Sequence, residues 1–205
     1  MSRAFEDVFG VGDGLKGVPM AGRTDAWIVA QAVIAHGLSC DAEGLRHFGE
    51  RYLTHLRDEV HQPGPRKGVM PGVRPLLDAL AARSDAFLAL LTGNFEHGAR
   101  VKLEYFDLWG YFRCGAFGAA ALERNGLLST ALARVEACGG PSPRLPDVVV
   151  VGDTPLDVAV AKAGGARSVA VATGSFDVAM LGESGADVVL EDFGDLQAAL
   201  EALGF

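Results

Sequence analysis

The pattern of apolar and polar residues changes near residue 63. Before that point, apolar residues recur every three or four positions, which indicates amphipathic helices and no strand. Thr24 is placed to cap a first helix that ends at Gly37. A second helix follows Ser39 or Asp41, and its apolar stripe comprises Leu45, Phe48, Tyr52, Leu56 and Val60. The amino-terminal part is therefore predicted to be helical.

A Pro- and Gly-rich segment beginning Pro63-Gly64-Pro65 is typical of a linker. After it, short continuous apolar runs alternate with helical patterns, as in a parallel sheet that is covered on both faces. The predicted strands are Ala86–Leu91, Phe112–Phe117, Val148–Val151, Ser168–Ala172 and Asp187–Leu190, and helices are predicted around Val73–Ala82, around His97–Leu108, after Ser129, after Pro155 and at the end of the chain. We therefore predict a doubly wound α/β domain over residues 65–205, preceded by a helical domain over residues 1–64.

Composition and charge reduce the number of function classes that fit this sequence. The 205 residues are 49% hydrophobic, and they carry 18 basic and 26 acidic side chains for a net charge of −8. That balance argues against a nucleic-acid partner. No apolar run approaches the roughly 20 residues of a membrane span, and the first residues lack a signal pattern. Cys40, Cys114 and Cys138 show no C-x-x-C spacing, which favours a reducing cytoplasm and argues against structural zinc.

The first candidate site follows the predicted strand Ala86–Leu91. In an open parallel sheet, ligands bind beyond the carboxyl ends of the strands. Thr92-Gly93-Asn94 combines a hydroxyl, a glycine that permits close backbone approach and the start of a helix, which suits a phosphate oxygen. Taken alone, Thr and Asn are better explained as ordinary capping residues at such a turn.

The second candidate site follows Val148–Val151. Asp153 lies at the tip of that strand and Asp157 one helical turn later, with Pro155 at the first turn of the helix. Two carboxylates there suit Mg²⁺, which typically takes one or two carboxylates together with water and phosphate. The alternative is a helix cap formed by Asp153 or Thr154. A simple cap has no use for a second acid at that spacing, so the metal interpretation is favoured.

Lys102 lies on the predicted helix between these two motifs. It is placed to reach a phosphate as a point charge. The alternative is a lysine on a solvated helix face, and the residue alone does not decide between the two.

Together, a Thr, a Lys and an acidic pair in this order resemble motifs two, three and four of the haloacid-dehalogenase (HAD) superfamily. Longer stretches of the sequence are similar to the phosphoglycolate-phosphatase-like branch of that superfamily. They are LLTGN, RVKLEYFDLWGYF, GAFG, VVVVGDTPLDVAVAKAGGARSVAVATG and ADVVLEDFGDL. GRTDAWI and the Met70-Pro71-Gly72 turn also fit that branch. The resemblance covers most of the chain from Met70 onward.

The resemblance implies a Rossmann-like core with a small helical cap, and Mg²⁺-dependent hydrolysis of a small phosphorylated metabolite through an aspartyl-phosphate. By analogy, Thr92, Gly93 and Asn94 hold the phosphoryl oxygens and Lys102 neutralises their charge. Asp153 binds the metal and Asp157 supports it. The acidic pair favours a phosphatase over a true dehalogenase. In the cap, Arg23 is the candidate for substrate contact, its alternative being an exposed arginine before a helix.

The family's first motif, a buried strand ending in D-x-D, has no counterpart in this sequence. The nearest acidic pair, Asp41-x-Glu43, begins a helix. No residue therefore matches the family's nucleophile or its general acid/base. One interpretation is that the natural protein starts roughly 20 to 40 residues upstream, the usual length of a strand and its loop. The other is a catalytically inactive relative that binds a phosphorylated ligand or partner.

Overall fold

The computed structural model describes residues 1–64, 67–118 and 126–205. Nine helices occur in these ranges: α1 (Ser2–Phe9), α2 (Asp25–Ala35), α3 (Ala42–Glu59), α4 (Val73–Ala81), α5 (Glu96–Tyr105), α6 (Leu127–Ala137), α7 (Pro155–Ala163), α8 (Val178–Glu183) and α9 (Leu196–Leu203). The strands are β1 (Leu90–Leu91), β2 (Gly115–Ala116), β3 (Val149–Gly152), β4 (Arg167–Val171) and β5 (Val188–Leu190). The alternation of helices and strands after residue 64 confirms the predicted α/β fold class.

Capping side chains set the starts of the first long helices. The Thr24 hydroxyl accepts a hydrogen bond of 3.1 Å from the Trp27 N–H, and the Asp41 carboxylate accepts one of 2.8 Å from the Gly44 N–H. Asp41 therefore caps α3. Gly37 follows α2 with φ at +63°, a left-handed conformation that glycine adopts without strain. These start and stop signals are those that the sequence predicted.

Helices α1, α2 and α3 enclose a core of their own. Phe5 and Phe48 are fully buried at its centre. The side chain of Phe95, which directly precedes α5, packs against this core, with its ring centroid 6.4 Å from that of Phe48 and 6.5 Å from that of Tyr52. Through this contact, the loop that follows β1 packs against the helical segment.

The strands pair in parallel, in two separate ladders. β1 pairs with β2, and β4 lies between β3 and β5. In the described part of the chain no backbone ladder joins β1 to β3, although Leu91 packs against the cluster that contains Val150. β1 and β3 therefore belong to separate ladders, and side-chain packing through Leu91 brings the two ladders together.

Four details differ from the sequence prediction. The apolar run Ala86–Leu91 forms a ladder only at Leu90–Leu91, and the run Phe112–Phe117 only at Gly115–Ala116. Helix α6 begins at Leu127, ahead of the predicted start, because the Ser129 hydroxyl does not cap it but donates back to the Gly126 carbonyl at 3.0 Å. Helix α8 was not predicted, since its six residues are too few to show a period.

The predicted boundary between domains at residues 64 and 65 touches Pro65, which lies outside the described residues, so the boundary stays a prediction. All five strands lie after it and α1, α2 and α3 lie before it. Among the described residues, no helix combines the length and apolarity needed to cross a membrane. The three cysteines are free thiols.

Candidate active site

One cavity of about 440 Å³ lies at the carboxyl ends of β1 and β3. All seven residues that the sequence singled out for chemistry line it: Arg23, Thr92, Gly93, Asn94, Lys102, Asp153 and Asp157. The loop after β1, helix α5, the turn after β3 and the segment before α2 each contribute to its wall. Leu91 of β1 and Val151 of β3 also line it.

The loop after β1 is ordered by its own side chains. The Thr92 hydroxyl oxygen accepts hydrogen bonds from the Asn94 backbone N–H at 3.2 Å and from the Asn94 side-chain amide at 2.9 Å. The amide oxygen of Asn94 in turn accepts a hydrogen bond from the Lys102 ammonium. Hydroxyl, amide and ammonium therefore form one connected group that can donate hydrogen bonds to an anion. Lys102 is half-buried at this site, so the alternative of a fully solvated lysine does not describe it.

The acidic pair after β3 has two different environments. Asp157 is buried and forms a capping box with Thr154, whose backbone N–H and hydroxyl donate to Asp157 Oδ2 at 3.1 and 2.8 Å. The premise that a cap has no use for a second acid is therefore wrong, because a capping box uses an acid three residues after the cap. Asp153 is exposed at the cavity.

Gly152 permits this arrangement, since a Cβ at that position would lie 2.1 Å from the carboxyl carbon of Asp157. The Asp157 carboxylate thus sits directly against the end of β3. Both acids line the cavity, and one of them also holds the start of α7.

Arg23 lines the same cavity from the segment that precedes α2. Its guanidinium carbon is 4.4 Å from the centroid of the Trp27 ring, within the range of a cation–π contact. Stacking uses the face of the guanidinium and leaves its edge N–H groups available for an anion. The side chain is exposed but held in place.

Two residues at this site were not predicted from the sequence. Asp25 lines the cavity although only 6% of its surface is exposed. Tyr52, on α3, is buried with its ring centroid 5.9 Å from the Lys102 ammonium, and burial raises the pKa of its phenol while Lys102 opposes that rise. An acid in the first turn of a helix and an aromatic residue in an apolar stripe have ordinary structural explanations, so neither stood out.

The cavity is lined by charges of both signs. The carboxylates of Asp25, Asp153 and Asp157 and the cations Arg23 and Lys102 line it, and the amino group of Met1 lies among them. A phosphate dianion would meet three carboxylates there, and a divalent cation would offset their repulsion. No group of three or more His, Cys, Asp or Glu side chains in the described ranges is arranged to hold a metal ion. Mg²⁺ needs only one or two carboxylates when phosphate and water complete its shell, so the Asp153 and Asp157 pair fits it.

Comparison with known proteins gives the family. A family model described as HAD-hydrolase-like matches residues 124–196. The chain is 31% identical over 183 residues to the phosphoglycolate phosphatase of Rhodospirillum rubrum, in an alignment covering 86% of this chain and 72% of that protein. The chain belongs to the HAD-like hydrolase family. Its relatives within that family are of the phosphoglycolate phosphatase kind.

A second relative matches over a smaller share of its length. The phosphoglycolate phosphatase of Agrobacterium fabrum is 34% identical over 151 residues, which cover 74% of this chain and 61% of that protein. The chain thus spans about three fifths of the length of this HAD-like relative.

The fold of the HAD-like chain is also found among solved structures. A hydrolase from Pseudomonas syringae superimposes with a TM-score of 0.65 at 19% identity, covering 98% of this chain and 90% of that one. At this identity the likeness concerns the fold.

Proposed function

We propose that the cavity binds the phosphoryl group of a small phosphorylated metabolite together with Mg²⁺ and serves the hydrolysis of a phosphate monoester, of the phosphoglycolate phosphatase kind, with no residue of this sequence assigned as the nucleophile. The observation that carries the proposal is the convergence of Thr92, Lys102 and Asp153 on one cavity. The relatives named phosphoglycolate phosphatase support the same class of substrate. The free thiols and the acidic balance are compatible with a cytoplasmic enzyme.

Each side chain has a part in this proposal. Thr92 and the backbone of Gly93 and Asn94 hold phosphoryl oxygens, and Lys102 neutralises their charge. Asp153 holds Mg²⁺, with Asp157 fixing the turn from which Asp153 projects. When bound, Mg²⁺ supplies the positive charge that lets a phosphate dianion share the cavity with carboxylates. Arg23 contacts the rest of the substrate from the segment before α2, and the helical domain closes over the site as a cap.

A second candidate function is binding without turnover. No D-x-D occurs in the 205 residues. Asp25 accepts a hydrogen bond from the Phe95 N–H and Asp157 accepts two from Thr154, so both of these carboxylates already have protein partners. These observations favour a protein that recognises a phosphorylated ligand and does not cleave it.

One pair of measurements separates the two functions. Calorimetry with inorganic phosphate, with and without Mg²⁺, reports binding, and release of nitrophenol from p-nitrophenyl phosphate reports turnover. Metal-dependent binding with turnover, both lost in Asp153→Asn, supports the hydrolase. Metal-dependent binding without turnover by a folded protein supports the second function. Absence of phosphate binding at millimolar concentration with Mg²⁺ present would rule out both.

A further inference from the structure

Asp25 is a buried carboxylate that the proposed phosphate chemistry does not use. It begins α2, and it reaches a loop 70 residues away in the sequence. Its Oδ2 accepts a hydrogen bond of 2.8 Å from the Phe95 N–H, and its own backbone N–H donates one of 2.7 Å to the Gly93 carbonyl. One residue thus bonds both ends of the Gly93–Phe95 segment, which contains the predicted phosphate-binding backbone.

The contact is close along the whole segment that leads into α2. A Cβ at Gly93 would lie 2.4 Å from the Arg23 carbonyl oxygen and 3.0 Å from the Thr24 Cα. On the other side, Gly22 adopts a φ of +70°, and a Cβ there would lie 2.6 Å from the Thr154 hydroxyl. The segment Gly22–Asp25 therefore packs against both halves of the cavity wall.

The opposite side of the loop is held by β2 and the residues after it. The Thr92 N–H donates to the Ala116 carbonyl at 3.0 Å, and the Gly118 N–H donates to the Asn94 carbonyl at 2.9 Å. Asp25 supplies the matching pair of bonds from the helical side. Because Asn94 also accepts from Lys102, a shift of this loop would move both the backbone donors and the ammonium.

A carboxylate next to an anion site repels the anion. The presence of Asp25 at this point therefore calls for a role other than contact with phosphate. Burial raises the pKa of Asp25, against the opposing effects of the Phe95 N–H and of Lys102. Asp25 also lies at the amino-terminal ends of both α2 and α5, where partial positive charge stabilises an anion. The two helix ends therefore offset part of the cost of burying this carboxylate.

We propose that Asp25 is a positioning residue, which fixes the Gly93–Phe95 loop and, through Asn94, the Lys102 ammonium in the arrangement that receives a phosphoryl group. The proposal rests on the proposed function of the cavity. What it adds is that the affinity for phosphate depends on where the Asp25 acceptor lies and not on its charge.

Three substitutions separate position from charge. Asp25→Asn keeps an oxygen acceptor without the charge, Asp25→Glu keeps the charge but displaces the carboxylate by one methylene, and Asp25→Ala removes both. Asp41→Asn and Asp41→Ala are matched controls, because Asp41 also accepts a backbone N–H at a helix start but lies outside the cavity. All variants are compared as full chains by phosphate calorimetry with Mg²⁺, by urea unfolding and by ¹⁵N–¹H NMR.

We expect Asp25→Ala and Asp25→Glu to weaken phosphate binding about tenfold or more, and Asp25→Asn to stay within about threefold of the wild type. Asp41→Ala should lose stability and Asp41→Asn should stay close to the wild type, because asparagine caps a helix about as well as aspartate, and both should bind phosphate normally. Wild-type affinity in folded Asp25→Glu and Asp25→Ala would overturn the proposal, as would equal loss in Asp25→Asn and Asp25→Glu.

The NMR spectra test the positioning role of Asp25 without a ligand. In Asp25→Glu the amide signals of Gly93, Asn94 and Phe95 should move and the Phe95 amide should exchange faster, whereas Asp25→Asn should leave the exchange rate close to wild type. Unchanged loop signals in Asp25→Glu would refute the positioning role. If the wild type fails to bind phosphate, the proposed function fails, and these spectra alone judge the role of Asp25.

Discussion

The Lys102 ammonium donates a hydrogen bond to the side-chain oxygen of Asn94, and the Asn94 amide in turn donates to the Thr92 hydroxyl. The three groups that face the phosphate site are thus linked before any ligand arrives. Such preorganisation lowers the cost of ordering side chains on binding. Loss of Lys102 would therefore affect the hydrogen-bonded group of Thr92, Asn94 and Lys102 as a whole.

Replacing Lys102 by Met should weaken phosphate binding about tenfold or more, because a charge-assisted hydrogen bond is lost at a half-buried site. Isothermal calorimetry with inorganic phosphate and Mg²⁺ measures the change. Lys162→Met is the matched control, since Lys162 is exposed, donates to the Ser184 carbonyl at 3.2 Å and lies outside the cavity. Equal loss in both variants would show that net charge, and not the site, is responsible.

Replacing Asp157 by Ala should lower the free energy of unfolding by about 1–2 kcal/mol, because it removes the acceptor of the capping box at the start of α7. Urea unfolding followed by circular dichroism gives the value. Thr154→Ala should cost a similar amount, since it removes the other half of the same box. If the two single losses add fully in the double variant, the box does not act as a unit and this account of Asp157 is incorrect.

Replacing Arg23 by Gln should weaken the binding of phosphoglycolate and leave the binding of inorganic phosphate unchanged. The reason is that Arg23 is the candidate in the helical segment for contact with the rest of the substrate, whereas Thr92 and Lys102 are the candidates for the phosphoryl group. Calorimetry with both ligands tests the difference. Arg144→Gln serves as control, because Arg144 is an exposed arginine that pairs with Asp147 away from the cavity. A parallel loss for both ligands would place Arg23 at the phosphoryl group itself.

Replacing Asp187 by Asn should flatten the acid limb of the stability profile. The Ser168 backbone N–H and hydroxyl donate to this carboxylate at 2.7 and 2.8 Å, and they hold the pKa of Asp187 below its ordinary value of 3.8. A lowered folded-state pKa stabilises the protein above pH 3.8, and that contribution is lost as the pH falls through the folded-state pKa.

Urea unfolding of both proteins at a series of pH values tests this. The free energy of unfolding should fall more steeply in the wild type than in Asp187→Asn below about pH 4, while above that the two curves should run parallel. Curves that stay parallel down to about pH 2 would contradict the prediction.

The helical part of the fold was predictable because its signals are local. Thr24 and Asp41 occupy the positions where helix caps occur, and the stripe through Phe48 and Tyr52 is long enough to show its period. Strand β1 was predicted too long, because the length of a ladder depends on a partner strand and not on the apolar run itself. The order of the elements was therefore more predictable than the extent of the strands.

The residues of the candidate site were predictable where strand ends could be located. Thr92 and Asp153 could be grouped because parallel strands bring their carboxyl ends to one edge of the sheet, and Lys102, which lies on α5, was added through the resemblance to the family motifs. The role of Asp157 in the capping box was missed, since the same spacing fits a metal pair. Asp25 was missed because its partners, Gly93 and Phe95, lie some 70 residues away, and a contact of that kind leaves no local pattern.

The two strand ladders have a consequence for ligand binding. Thr92 and Lys102 belong to the half of the core that contains β1, and Asp153 belongs to the half that contains β3, yet no backbone ladder joins these strands in the described part of the chain. A phosphoryl group bound by Thr92, Lys102 and Asp153 together would connect the β1–β2 ladder to the β3–β4–β5 ladder. Occupancy of the cavity and the rigidity of the whole core would then rise together.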